Sequence, residues 1–301
     1  MHRLFATASI TLAGMLPLLA AQEPPPAAAG GAAPSRPGFD VSETLTALAR
    51  RVHDTPVADH TVASAAWLLL AFAETGSTMR AGNHRTEVRF LTKTLIELQG
   101  AAGQFAKNGA QASRSDQIAA TLAIVLAYER SQKLRSLQRP AQNALEAVLA
   151  LKVSDAEAPT NEEVALLTLL LRAQPTSERL SAMAKQWVGS QTFGKTRRGD
   201  AALHLGQLVL GEPHPPELTV ARTWPASLTA DPLHTVLAIL AVSTDEKSLA
   251  RQSKQIEELL ALRVKDGPSV GMWPAAGGFD EVTTTAMFAF AIGVANGSKP
   301  K

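Results

Sequence analysis

Acidic and polar residues recur at the starts of long apolar runs, and these are the residues best placed to do chemistry. They are Asp59 with His60, Asp116 with Gln117, Asn161 with Glu162, Asp200, Asp231, and Asp280 with Glu281. Two carboxylates brought to one place could serve as acid and base in cleaving a glycosidic bond. The plainer reading is that each acid accepts hydrogen bonds from the free amides of its own helix and suits the positive end of the helix dipole. His60, His204 and His234 fall at or within the same runs. No pair has the i, i+4 spacing of two ligands on one helix face, and no HExxH occurs, so buried hydrogen-bonded histidines are expected and no metal or cofactor is implied. Trp67 sits in an apolar run as a core residue, whereas Trp224 and Trp273, each followed by proline, are candidates for a cavity rim.

Composition removes several alternatives. The 301 residues contain no cysteine, which excludes disulfides, cysteine-ligated zinc or iron, a cysteine nucleophile, an internal thioester and a lipidated cysteine. Charges are interspersed and sum to +2, so nucleic acid is not an expected partner. The glycines form no Walker or dinucleotide pattern. The cluster from Lys195 to Arg198 reads as a solvated loop between Gly194 and Gly199.

Residues 1–21 have the form of a secretory signal peptide: His2 and Arg3, an apolar stretch from Leu4 to Leu19, then Ala20 and Ala21. The stretch is short for a bilayer span and contains Pro17, so no stable span is expected once the signal is removed. Residues 22–40 are rich in Pro, Ala and Gly and read as a disordered linker, 41–297 as the folded domain, and 298–301 as a tail. An exported domain without disulfides must be held by its core alone, which its length permits.

Within the domain, apolar residues recur at helical spacing and strand signals are scarce. Six runs beginning at Asp59, Asp116, Asn161, Asp200, Asp231 and Asp280 are apolar almost all round, at intervals of roughly 30 to 60 residues. They read as inner helices too short for a membrane. Thr160-x-x-Glu163 and Ser113-x-x-Asp116 have the spacing of a capping box. Between them run amphipathic segments, Glu43 to Val52, Arg85 to Gln99, Gln138 to Lys152, Glu178 to Val188 and Lys247 to Val264, which read as an outer layer. Between Leu210 and Asp231 four prolines leave the sixth outer helix degenerate. Six such hairpins predict an all-α (α/α)6 toroid, with an open solenoid as the alternative.

Three stretches resemble the terpenoid-cyclase and protein-prenyltransferase toroids, and more closely the bacterial prenyltransferase and squalene oxidase repeat proteins. They are Phe90 to Phe105, with Gln99, Gly103 and Phe105; Asp116 to Lys152; and Gly271 to Gly293, with Trp273 and a glycine pair before a Thr-rich helix. The resemblance implies a toroid whose inner-helix N-termini surround one mouth. The residues gathered there would be Asp59, His60, Asp116, Gln117, Asn161, Glu162, Asp200, Asp231, His234, Trp273, Asp280 and Glu281. The family's catalytic equipment is missing: there is no DxDD motif, no cysteine for the prenyltransferase zinc, and only 5% aromatic residues to stabilise carbocations. The expectation is therefore an exported, non-catalytic toroid that binds a small molecule or protein partner. A carboxylate-dependent glycan hydrolase or lyase is the alternative, and an isoprenoid enzyme the least favoured reading.

Overall fold

A computed structural model describes residues 38–151, 158–191, 194–212, 224–244 and 246–297. The signal peptide, most of the linker, residues 213–223 of the degenerate outer segment and the 298–301 tail lie outside the described residues. Eleven α-helices make up the described domain. Six form an inner set: α2 (Val62–Glu74), α4 (Arg114–Arg130), α6 (Asn161–Ala173), α8 (Arg197–Leu210), α9 (Pro232–Val242) and α11 (Glu281–Asn296). Five are amphipathic: α1 (Ser42–Asp54), α3 (Arg85–Glu97), α5 (Arg135–Leu149), α7 (Glu178–Gly189) and α10 (Glu246–Ala261).

The inner helices are buried because their sequences offer no polar face. All eleven residues of α9 are buried, as are Ala65 to Glu74 in α2 and Thr283 to Ala295 in α11. Each inner helix packs on the next: α2 on α4, α4 on α6, α6 on α8, α8 on α9, α9 on α11, and α11 on α2. The amphipathic helices lie against this set through one face, α3 on α2, α5 on α4, α7 on α6 and α10 on α9, while α1 packs on α11 and α2. No helix among the described residues is long and apolar enough to cross a membrane.

Hydroxyl and carboxylate caps start every inner helix. Thr61, Ser113, Thr160, Thr196, Asp231 and Asp280 each accept a backbone amide of the first turn. Thr61 with Ser64 and Thr160 with Glu163 are reciprocal capping boxes. Three of these caps, Ser113, Thr160 and Thr196, stand upstream of the residues that mark the runs in the sequence, and Thr61 stands downstream of Asp59, so the expected assignment of each acid to its own helix start holds only at Asp231 and Asp280.

Loops are fastened by side chains buried between the layers. After α3 the chain makes a small hairpin, β1 (Ala106–Lys107) with β2 (Ala110–Gln111), turning at Asn108 (φ 52) and Gly109 (φ 81). The Gln117 amide holds this loop to α4, accepting from the Phe105 N–H at 2.9 Å and donating to the Gly103 carbonyl at 3.2 Å. Gly103 has φ +82, and an added Cβ would lie 1.9 Å from the Asn143 carbonyl oxygen of α5. At the seam between chain start and end, the Phe39 N–H donates to Asn296 Oδ1 at 2.8 Å, and Asn296 Nδ2 donates to the Phe39 carbonyl at 2.9 Å. Phe39, which the sequence places in the linker, is thus a buried part of the fold.

Candidate functional site

The N-terminal turns of α4, α6, α8 and α9 carry two ion pairs between helices. Arg114 at the start of α4 binds Glu163 of α6 with both ends of its guanidinium, Nε to Oε1 at 2.9 Å and Nη2 to Oε2 at 3.1 Å. The same Glu163 accepts the Thr160 N–H at 2.8 Å, so its carboxylate is wholly occupied in joining two helix starts. Arg198 of α8 bridges to Asp231 at 3.3 Å, and Asp231 caps α9 through the His234 N–H at 3.1 Å. These bonds tie the helix starts in two pairs, α4 with α6 and α8 with α9, and α6 packs on α8 between them.

Two half-buried carboxylates in this set do neither job. Ser113 caps α4, which leaves Asp116 at the third helical position with its side chain uncommitted. Thr160 and Glu163 cap α6, which leaves Glu162 uncommitted between them. Neither carboxylate makes a hydrogen bond or ion pair among the described residues. Burial pushes Glu162 up, the charge of Asp116 pushes it further, Arg198 pulls it back and Glu163 adds a smaller rise, leaving its pKa at about 6. A carboxyl group half-protonated near pH 6 beside a second carboxylate can donate and accept a proton under mild conditions.

The other residues expected at the mouth have different surroundings. Asp59 is exposed on a short 3₁₀ turn ahead of α2. His60 packs edge-on against Phe90 of α3, with centroids 5.6 Å apart, and burial lowers its pKa. It therefore belongs to the seam between inner and outer layers. Gln117 is the loop fastener already described and not a surface donor. Asn161 is half-buried beside Gly199 at the start of α8. Asp200 is buried and accepts the Gly194 N–H at 2.8 Å. His234 is buried within α9, and His204 within α8. Asp280 caps α11 at 2.7 Å from the Thr283 N–H, and Glu281 pairs with Arg51 of α1 at 3.2 Å.

The tryptophans also depart from expectation. Trp273 is 0% exposed; its Nε1 donates to the Leu259 carbonyl at 2.8 Å, and its ring meets Phe288 edge-on at 5.2 Å. It is a core anchor joining α10 to α11, not a cavity rim. Trp224 is buried as well. Arginines are the residues that the sequence pattern did not single out: Arg114 and Arg198 organise the site, and their one sequence signal is a place two residues before an acidic start, Asp116 and Asp200. Within the cluster at 195–198, Thr196 is the α8 cap and Arg198 already lies in the helix. Among the described residues no three His, Asp or Glu side chains are grouped to hold a metal.

No protein-family model matches the chain, and no curated protein matches it. Its fold is similar to a solved structure described as a novel alpha-amylase from Clostridium perfringens. The TM-score is 0.51 with 12% sequence identity, over 77% of this chain and 85% of that one. At this identity the likeness shows an all-helical fold in common and leaves chemistry to be argued from the site.

Proposed function

We propose that the chain is an exported, glycan-active protein whose six inner helices close into an (α/α)6 toroid. In this reading Glu162 is the proton donor to a glycosidic oxygen, and Asp116 is the partner carboxylate that activates water or steadies positive charge at the sugar carbon. The observation that carries it is the pair itself. Asp116 and Glu162 are uncommitted carboxylates on neighbouring inner helices, whereas Glu163, Asp200, Asp231 and Asp280 are occupied as caps, ion pairs or a loop hydrogen bond. The run of inner-helix contacts that returns from α11 to α2 supports closure. The structural likeness to the alpha-amylase supports glycan as the substrate class and puts starch first among polysaccharides to try. The form of residues 1–21 supports export.

One observation favours a second reading, an exported non-catalytic protein that binds a small molecule or protein partner. All four tryptophans are buried, so none offers a platform for stacking sugars. Release of reducing ends from starch and a panel of other polysaccharides separates the two. The enzyme reading expects release by the native protein, with Glu162→Gln and Asp116→Asn each slower by about a hundredfold or more. Absence of release from every polysaccharide, together with a ligand retained in native mass spectrometry, would establish the second reading instead.

A further inference from the structure

Although the whole chain sums to only +2, its positive charge is not evenly spread. Arg80, Arg85, Arg89, Arg135 and Arg139 are all exposed, and none has an ion-pair partner among the described residues. Elsewhere five arginines are neutralised, Arg51 by Glu281, Arg114 by Glu163, Arg130 by Glu74, Arg179 by Glu146 and Arg198 by Asp231. Exposed Arg50, Arg172, Arg197 and Arg251 also have no ion pair among the described residues, so it is grouping that sets the first five apart.

These five arginines belong to one surface. The loop before α3 and the loop before α5 are joined twice, by the Met79 N–H to Ser131 Oγ at 3.2 Å and by Arg80 Nη1 to Gln132 Oε1 at 3.2 Å. Arg89 Nε donates to the Met79 carbonyl at 2.7 Å, drawing its guanidinium to the same junction. Just past the end of α3, Gln99 Nε2 donates to the Pro140 carbonyl of α5 at 3.0 Å, a third link between the two segments. Arg85 with Arg89, and Arg135 with Arg139, stand four residues apart and share a helix face. Glu87, the one acid in the first turn of α3, is buried and pairs with His53 of α1. The first turn of α5 has no acid.

The helix ends increase the imbalance. Arg85 and Arg135 are the first residues of α3 and α5, where a cation meets the positive end of the dipole. The residues before them, His84 and Leu134, make no side-chain cap bond, in contrast to the caps of all six inner helices. Charges of one sign held this close repel, and an anionic partner relieves the repulsion. Guanidinium forks match planar or tetrahedral oxyanions.

We infer that the arginine-bearing surface at the starts of α3 and α5 is a docking surface for an anionic polysaccharide, separate from the Asp116 and Glu162 site. A membrane surface fits less well, because the large apolar side chains exposed among the described residues are Val57 and Leu262, neither on α3 or α5. Single-stranded nucleic acid fits less well too, since bases stack on exposed aromatic rings, and the ring nearest this face, Phe90, is partly buried against the core. A sulfated or carboxylated sugar chain needs only a line of cations. The inference does not depend on the proposed catalysis.

The test is binding of the purified protein to immobilised heparin and to polygalacturonate across a salt gradient. Phosphatidylglycerol vesicles and a single-stranded oligonucleotide are the competing probes. The native protein is expected to bind the polysaccharides and to release them as salt rises. Replacing the five arginines with Gln is expected to weaken binding at 0.1 M NaCl by about a hundredfold. The pair Arg85→Gln and Arg89→Gln gives an intermediate loss, while Arg251→Gln with Lys254→Gln on α10 leaves binding unchanged. Melting temperatures of all variants report whether folding is preserved, and starch cleavage by them reports the other site. The inference is overturned if the folded five-residue variant elutes with the native protein. It is also overturned if vesicles or the oligonucleotide bind more tightly than either polysaccharide.

Discussion

Asp116 and Glu162 stand on neighbouring inner helices, and the charge of the first adds to burial in lifting the second to a pKa of about 6. Neither residue holds up its own helix start, because Ser113 and Thr160 do that work. The protein therefore keeps a repulsive pair that its capping does not require.

That repulsion should be visible as a pH dependence of stability. The folded pKa of Glu162 lies above its ordinary value of 4.5, so the folded state holds the proton more tightly than the unfolded chain does. Stability from this residue is fully present below about pH 4.5 and is lost as pH rises through about 6. Glu162→Gln removes the loss. We expect the variant to gain about 1–2 kcal/mol over the native protein at pH 7.5 and nothing at pH 4, measured by denaturant titration at both values.

Asp116→Asn tests the coupling directly. Its removal should lower the titration midpoint of Glu162, followed by carbon-13 NMR of the side-chain carboxyl. The midpoint should stay above 4.5, since burial is the larger cause and remains. An unchanged midpoint would mean that the two charges do not sense each other.

Gly103→Ala should be strongly destabilising, by about 2–4 kcal/mol in chemical denaturation. The position needs a positive φ, and the new methyl would run into the α5 backbone.

Gln117→Ala should cost about 1–3 kcal/mol by leaving the buried Phe105 N–H and Gly103 carbonyl without their partner. Because Gln117 faces the hairpin loop, glycan cleavage by the folded variant should match that of the native protein. A selective loss of cleavage with stability intact would return Gln117 to the site.

Helices were legible where a whole face, or every face, was apolar: the uniform runs in α2, α9 and α11 admit no other placement. Their starts were less so. Near a helix N-terminus any short polar residue is a plausible cap: the spacing of Ser113 and Asp116 marks the first as a cap, but nothing local prefers Thr61 to Asp59 or Thr196 to Asp200, two and four residues away. The choice of cap matters for function, since it decides whether Asp116 is structural or free. Glu162 and Glu163 show the limit most clearly: adjacent, identical in type, and divided into a free carboxyl and a locked one by Arg114, forty-nine residues back in the chain. The hairpin at Asn108-Gly109 did carry a sequence signal, the dipeptide that accepts two positive φ values, but only two residues pair on each side. The sequence points to Trp273 as a rim residue because of the proline after it; burial and the bond to Leu259 follow from α10, which local pattern does not reveal.

The Phe39 to Asn296 clasp joins the two ends of the domain through a single side-chain amide. The domain is thus a candidate for circular permutation, with residues 38 and 297 linked and the chain reopened in a surface loop elsewhere. It also fixes where mechanical load would enter. A pull on either end arrives first at Asn296, so the seam between α1 and α11 should open under force before any other helix pair parts.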